Sequence, residues 1–341
     1  MTVVQALDAP LTPQSVFVCP TCQTSLAWSP SEARCTSCAL AVPVVDGLAR
    51  FVYDYKHENF ALQWNRFADV QLDSRNALTL SRDRLLGQSH LRPEDFAGRL
   101  VLEVGCGAGR FTEILLSFGA KVVATDYSGA VDACSRSHCG WCDAGALVTA
   151  QADVFCLPVR PEFDIVLGYG MLQHTGNPEK ALQCLWSRVK PGGLLLVDRY
   201  AISLRHAKPF KYALRPLTRR LPVPTLLRAV EGFCGWAIPV ERQILRRLQG
   251  GGPVRKALRR ILNRLPNSVY PLYFELEGRV DRDFALRWCV LETFDQYGSR
   301  YDWPCTGLQW RRELERLEGR QLEWIGTSGQ GHVATVRKIS A

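Results

Sequence analysis

Residues 99–111, reading RLVLEVGCGAGRF, leave this chain few ways to fold. Leu100 to Val104 is a short apolar run of the kind that suits a parallel strand buried on both faces. The glycines that follow let the backbone turn tightly and approach a ligand, and a helix is expected from about Phe111 to Phe118. A dinucleotide fingerprint, GxGxxG, would need glycine at position 110, where this chain has Arg110. What stands here is E-x-G-x-G-x-G, with Glu103 two residues ahead of Gly105.

Further strands follow in order. Residues 121–126 (KVVATD) end on Asp126, residues 151–154 hold Asp153, and residues 163–168 (FDIVLG) run into YGMLQHT. Residues 189–197, VKPGGLLLV, form a turn and another strand. In this order the segments resemble the class I S-adenosylmethionine-dependent methyltransferases, and the glycine loop resembles that family's first motif. The resemblance implies an α/β fold, a Rossmann-like seven-stranded sheet with six parallel strands and one reversed. Residues 322–326 and 332–338 would supply the last two strands, joined by TSGQG.

It also implies cofactor-binding roles for Glu103, Gly105, Cys106, Gly107, Gly109, Asp126, Tyr127, Asp153, Val154 and Tyr169. Asp126 would accept both ribose hydroxyls, a task that suits a carboxylate with two oxygens side by side. Asp153 would hold the adenine amino group. Trp64 and Tyr169 could face the sulfonium through cation–π contact. Methyl transfer from a sulfonium is an in-line displacement, so a base is needed only for an acceptor whose proton is held tightly. His174, just past the fourth core strand, is the first candidate, with Asp295 and Tyr301 behind it and Tyr297 beside them.

Residues 17–52 carry a second signature. Cys19 and Cys22 form one CxxC, Cys35 and Cys38 another after twelve intervening residues. That spacing suits four thiolates around a structural zinc, a closed site with no catalytic position. So short a segment cannot bury a sufficient core unaided. The pattern, with Pro43 to Gly47 as its tail, resembles the zinc-ribbon-like segments that accompany some methyltransferases. Cys134, Cys139 and Cys142 match part of an iron–sulfur spacing. No fourth ligand is evident, and they read as ordinary helix and loop thiols.

The 341 residues suggest about two domains. The expected divisions are a zinc-ribbon-like module over 1–54 and a helical segment capping the cofactor site over 55–98. Core strands one to five follow over 99–198, a basic helical insertion over 199–280 and the completion of the core over 281–341. Composition, 47% hydrophobic and 22% charged, is globular and excludes a disordered chain. Neither a signal peptide nor an apolar stretch long enough to span a bilayer is visible, so the expected address is cytoplasmic.

The net charge of +9 is concentrated. Residues 199–270 hold sixteen Lys and Arg against Glu231 and Glu241, a balance of +14. Within them, Val254, Ala257, Leu258, Ile261, Leu262 and Leu265 share a helical stripe from which Arg255, Lys256, Arg259, Arg260 and Arg264 point away. The insertion reads either as a lid with a solvated basic face or as a cap that recruits an anionic or amphiphilic acceptor. Peripheral membrane contact is one form of the second reading. The acceptor is expected to be a metabolite, methylated on oxygen, nitrogen or carbon. The alternative is ribosomal or transfer RNA, with the zinc module as recognition element. Against it, no N/D-P-P-Y/F tetrapeptide occurs, and GYGMLQHT takes its place.

Overall fold

The structure is a computed structural model that describes residues 9–53, 58–160, 163–202, 209–247, 252–254, 257, 276, 278–329 and 331–339. Two compact units emerge. The first holds residues 1–68, 72–202 and 301–341, the second 69–71 and 203–300. The helix Arg282–Gly298 therefore groups with the insertion, and the chain re-enters the first unit at Tyr301.

In the first unit the strands are β1 (Leu26–Trp28), β2 (Glu32–Cys35), β3 (Ala41–Val45), β4 (Leu48–Arg50), β5 (Leu100–Val104), β6 (Lys121–Asp126), β7 (Leu147–Gln151), β8 (Phe163–Gly168), β9 (Val189–Tyr200), β10 (Arg320–Ser328) and β11 (Gly331–Lys338). Runs of Val, Leu, Ile and Ala in β5, β7 and β8 are buried almost without interruption, because helices flank a parallel sheet on both faces. The sheet order is β1-β2-β3-β4-β7-β6-β5-β8-β9-β11-β10. From β7 to β10 this is the expected set of seven, with β11 reversed against β9.

The strand count departs from expectation: eleven strands, not seven. The N-terminal module does not stand apart. β4 pairs in parallel with β7, setting Ala49 opposite Ala150 and Arg50 opposite Gln151, so β1 to β4 extend the sheet at that edge. Arg50 also reaches Asp132 at 2.7 Å, and Phe17, Val42 and Phe51 join Leu157 and Val159 in one apolar core. A short module thereby borrows the burial it cannot generate.

Helix ends follow their capping residues. Asn177 accepts from the Lys180 amide ahead of Pro178–Trp186, and Thr306 from Gln309 ahead of Gly307–Glu315. At the far end of β9, Arg199 and Glu313 are both buried and meet at 2.6 Å. Arg199 Nε also donates to the Trp303 carbonyl, fixing the segment that carries Tyr301.

The second unit is helical among its described residues: Pro209–Thr218, Val223–Arg247 and Arg282–Gly298, the last capped by Asp281. The stripe expected through Leu258, Ile261, Leu262 and Leu265, with its basic Arg255, Arg259 and Arg260, lies outside the described residues. No described helix is long and apolar enough to cross a membrane.

Candidate active site and metal centre

β5 delivers the chain to a turn in which Gly105, Gly107 and Gly109 all have positive φ. Two of these glycines answer to the protein's own packing. A Cβ on Gly105 would lie 2.7 Å from Met171 Cβ, and one on Gly109 would lie 2.5 Å from the His138 ring and 2.9 Å from Cys134 Sγ. Gly107 lies against the indole of Trp64, which an added Cβ would approach to 3.3 Å. The helix Glu58–Arg66 thus sets an aromatic face against the loop.

Asp126, at the end of β6, ties this loop to the next strand. The Gly107 amide donates to its Oδ2 at 2.9 Å, while the Ser128 amide and hydroxyl donate to Oδ1 at 2.8 and 2.7 Å. Burial raises its carboxyl, and these hydrogen bonds pull it back. A carboxylate offers about four lone-pair sites, so three are filled and one remains open. Glu103 is enclosed at 2% exposure and accepts from Thr112 Oγ1 at 2.6 Å. Burial pushes its carboxyl well above the usual range. Cys106 is buried in the loop, and its hydrogen bond to Cys134 lowers that thiol, against the burial that would raise it.

Further along the same edge, Asp153 accepts from the Phe155 amide at 2.9 Å, with Val154 buried beside it. The Tyr127 carbonyl accepts from Gln151 Nε2 at 3.0 Å. Tyr169, just past β8, stands edge-on to Phe111 at 5.6 Å. Its buried hydroxyl meets no partner among the described residues.

His174 ends a short turn, Leu172–His174, and is half-buried. Its Nδ1 lies 3.0 Å from the Tyr301 carbonyl. A carbonyl only accepts, so Nδ1 carries the hydrogen and Nε2 keeps the lone pair in the neutral ring. Phe60 and Tyr200 stand edge-on to the ring at 5.3 and 5.6 Å. The structure therefore brings two expected residues together, His174 and Tyr301. Asp295 sits on Arg282–Gly298 in the second unit.

Several neighbours went unread in the sequence. Asp198 accepts from the Gly170 amide at 2.6 Å and from Arg84 at 2.7 Å, pinning the loop after β8. Its only signal was an acid near the end of the fifth core strand. Gln173 is fully buried, and its side-chain amide finds no partner among the described residues. Nothing in its surroundings in sequence marks it.

Away from this edge, Sγ of Cys19 lies 3.6 Å from Cys38, and Sγ of Cys22 lies 3.4 Å from Cys35. All four sulfurs fall within 4.8 Å of one another. Four thiolates at ~2.3 Å from a central zinc would be spaced ~3.8 Å apart, so the cluster has the dimensions of a tetrahedral site. No other group of three metal-ligating side chains converges among the described residues. Cys134 is buried while Cys139 is exposed.

The sequence profile of a family described as "Methyltransferase domain" matches residues 102–197, which run from β5 to β9. Over that stretch, under a third of the chain, the sequence is similar to a methyltransferase domain. The chain is 35% identical over 111 residues to a ubiquinone biosynthesis O-methyltransferase of Azotobacter vinelandii, covering 31% of this chain and 45% of that protein. With the enzyme of the same name from Shewanella halifaxensis the identity is 29% over 131 residues, covering 38% and 55%. The chain thus spans about half the length of the curated relatives it matches. A solved structure described as a putative S-adenosylmethionine-dependent methyltransferase from Methanococcus maripaludis aligns over 85% of this chain and 98% of its own, at 11% identity and a TM-score of 0.44.

Proposed function

We propose that the protein transfers a methyl group from S-adenosylmethionine to a small-molecule acceptor, with oxygen as the acceptor atom. The observation that carries this reading is the clamp between Asp126 and the Gly107 amide at the carboxyl edge of β5 and β6. It leaves one lone-pair site for a ribose hydroxyl. The choice of oxygen leans on relatives named for O-methylation in ubiquinone biosynthesis.

When bound, the cofactor supplies an electrophilic methyl carbon on a sulfonium. This chain's part is to hold, orient and enclose. Asp126 and the glycine loop fix the nucleoside end, while Trp64 lays against the loop an aromatic surface that excludes water and favours a cation. His174 Nε2 would take the proton of an acceptor hydroxyl, freeing its oxygen to receive the methyl group that the cofactor would supply.

We also infer that Cys19, Cys22, Cys35 and Cys38 hold one structural zinc, a reading supported by their sulfur spacing.

Titration calorimetry with S-adenosylmethionine tests the first reading. Wild-type protein is expected to bind. Asp126→Ala is expected to bind about 1.5–3 kcal/mol more weakly, the range for a hydrogen bond to a charged group. Unchanged affinity in the variant would place the nucleoside elsewhere. Extract from a deletion strain, incubated with enzyme and methyl-labelled cofactor, should then yield a labelled small molecule. Label found in RNA instead would overturn the acceptor class.

A further inference from the structure

The helix Pro209–Thr218 is built inside out. Its cations Lys211 and Arg215 are buried, at 6% and 7% exposure, while Leu217 is 64% exposed and Tyr212 and Leu214 also face outward. Arg215 is held firmly: its guanidinium donates to the carbonyls of Gln296 and Ser299, both at 2.7 Å, and to Ser299 Oγ at 2.9 Å. Those bonds satisfy the C-terminal end of Arg282–Gly298, where a cation is favoured. With its charge spent inward, the helix presents apolar side chains outward.

The next helix, Val223–Arg247, continues the pattern in the same unit. Leu226, Leu227, Val230, Cys234, Ala237 and Ile238 are buried on one side. The exposed side includes Arg228, Ala229, Gly232, Gly235, Trp236 and Val240, and Trp236 is 65% exposed. A helix lying on a soluble protein ordinarily turns charged residues to water on that side. Here the outward positions from Thr225 to Val240 include no carboxylate. Arg219 and Arg220, between the two helices, are exposed, as is Leu221.

We propose that this face docks on an anionic lipid bilayer. The observations favour that occupant over the others. Exposed Trp and Leu side chains flanked by arginine fit the interface between headgroups and acyl chains, where aromatic rings settle and guanidinium groups reach phosphates. Arg219, Arg220 and Arg228 are exposed, and no exposed carboxylate accompanies them among the described side chains of residues 209–247, a charge complementary to acidic lipid. A second copy of the chain would bring the same arginines against each other, and RNA gains little from exposed leucine. Since no described helix is long and apolar enough to span, the contact is with the surface.

The test is flotation of the full chain with vesicles of phosphatidylcholine containing about 30% phosphatidylglycerol, against phosphatidylcholine alone. Wild-type protein should float with the anionic vesicles and not with the neutral ones, and high salt should release it. The double variant Leu217→Ser, Trp236→Ser should lose about tenfold or more in vesicle affinity, given that apolar insertion and charge act together. Arg219→Gln with Arg220→Gln and Arg228→Gln should weaken binding and flatten its salt dependence. These residues are exposed, so circular dichroism and thermal midpoint should stay unchanged in both variants. Failure to float on anionic vesicles would overturn the proposal, as would unchanged flotation in the Leu217 and Trp236 variant. So would sedimentation showing that this variant turns a dimer into a monomer, because the face would then cover a second copy.

Discussion

Replacing His174 with alanine is expected to lower kcat by about 10²–10⁴, the usual contribution of a positioned general base. The expectation follows from the ring's tautomer. The Tyr301 carbonyl, 3.0 Å from Nδ1, leaves the Nε2 lone pair available, and Phe60 and Tyr200 fix the ring plane. Cofactor affinity should stay within about twofold of wild type, because none of the bonds that tie Asp126 to the loop involves His174. His174→Gln should behave like the alanine variant if proton transfer is the role, since an amide can hydrogen-bond but cannot take up the proton. Steady-state kinetics and calorimetry on both variants settle the matter. Restored kcat in the glutamine variant would mean that the histidine only positions the turn.

Metal removal should have the larger effect on stability. Structural zinc in isolated fingers contributes about 10–16 kcal/mol of folding free energy. In this chain Phe17, Val42 and Phe51 are also buried in the shared core, so part of the module is held independently of the metal. A loss of about 5 kcal/mol or more is still expected for residues 9–53 on chelation, and for Cys35→Ser, which removes a buried ligand. Hydrogen exchange should show amides of β1 to β4 losing protection while β5 and β6 retain theirs. Elemental analysis should give one zinc per chain. Protein purified without chelator that lacks metal, or exchange unchanged on chelation, would remove the assignment.

The core was legible because its signals are local. Gly105, Gly107 and Gly109 occupy left-handed backbone that side chains avoid, and the runs ending at Val104, Asp126 and Gly168 end where β5, β6 and β8 end. The paired CxxC knuckles were legible for the same reason, since spacing alone sets the reach of four thiols. What escaped depends on long-range meeting. Asp198 and Arg84 lie 114 residues apart in sequence, and nothing near either predicts the other. The edge pairing of Ala49 with Ala150 joins segments a hundred residues apart through backbone groups, which every residue carries alike. The inverted helix Pro209–Thr218 was hidden for a different reason. Composition counts Lys211 and Arg215 as surface charge, and only their buried placement reveals that the outward face is apolar.

The parallel seam between β4 and β7 has one more consequence. Stripped of β4, β7 would become the border of the sheet, a row of bare amides and carbonyls along a flat apolar strand. Such borders recruit other chains. If the proposed zinc secures the N-terminal module, a cell short of that metal would lose this protein to aggregates before β5 and β6 had unfolded.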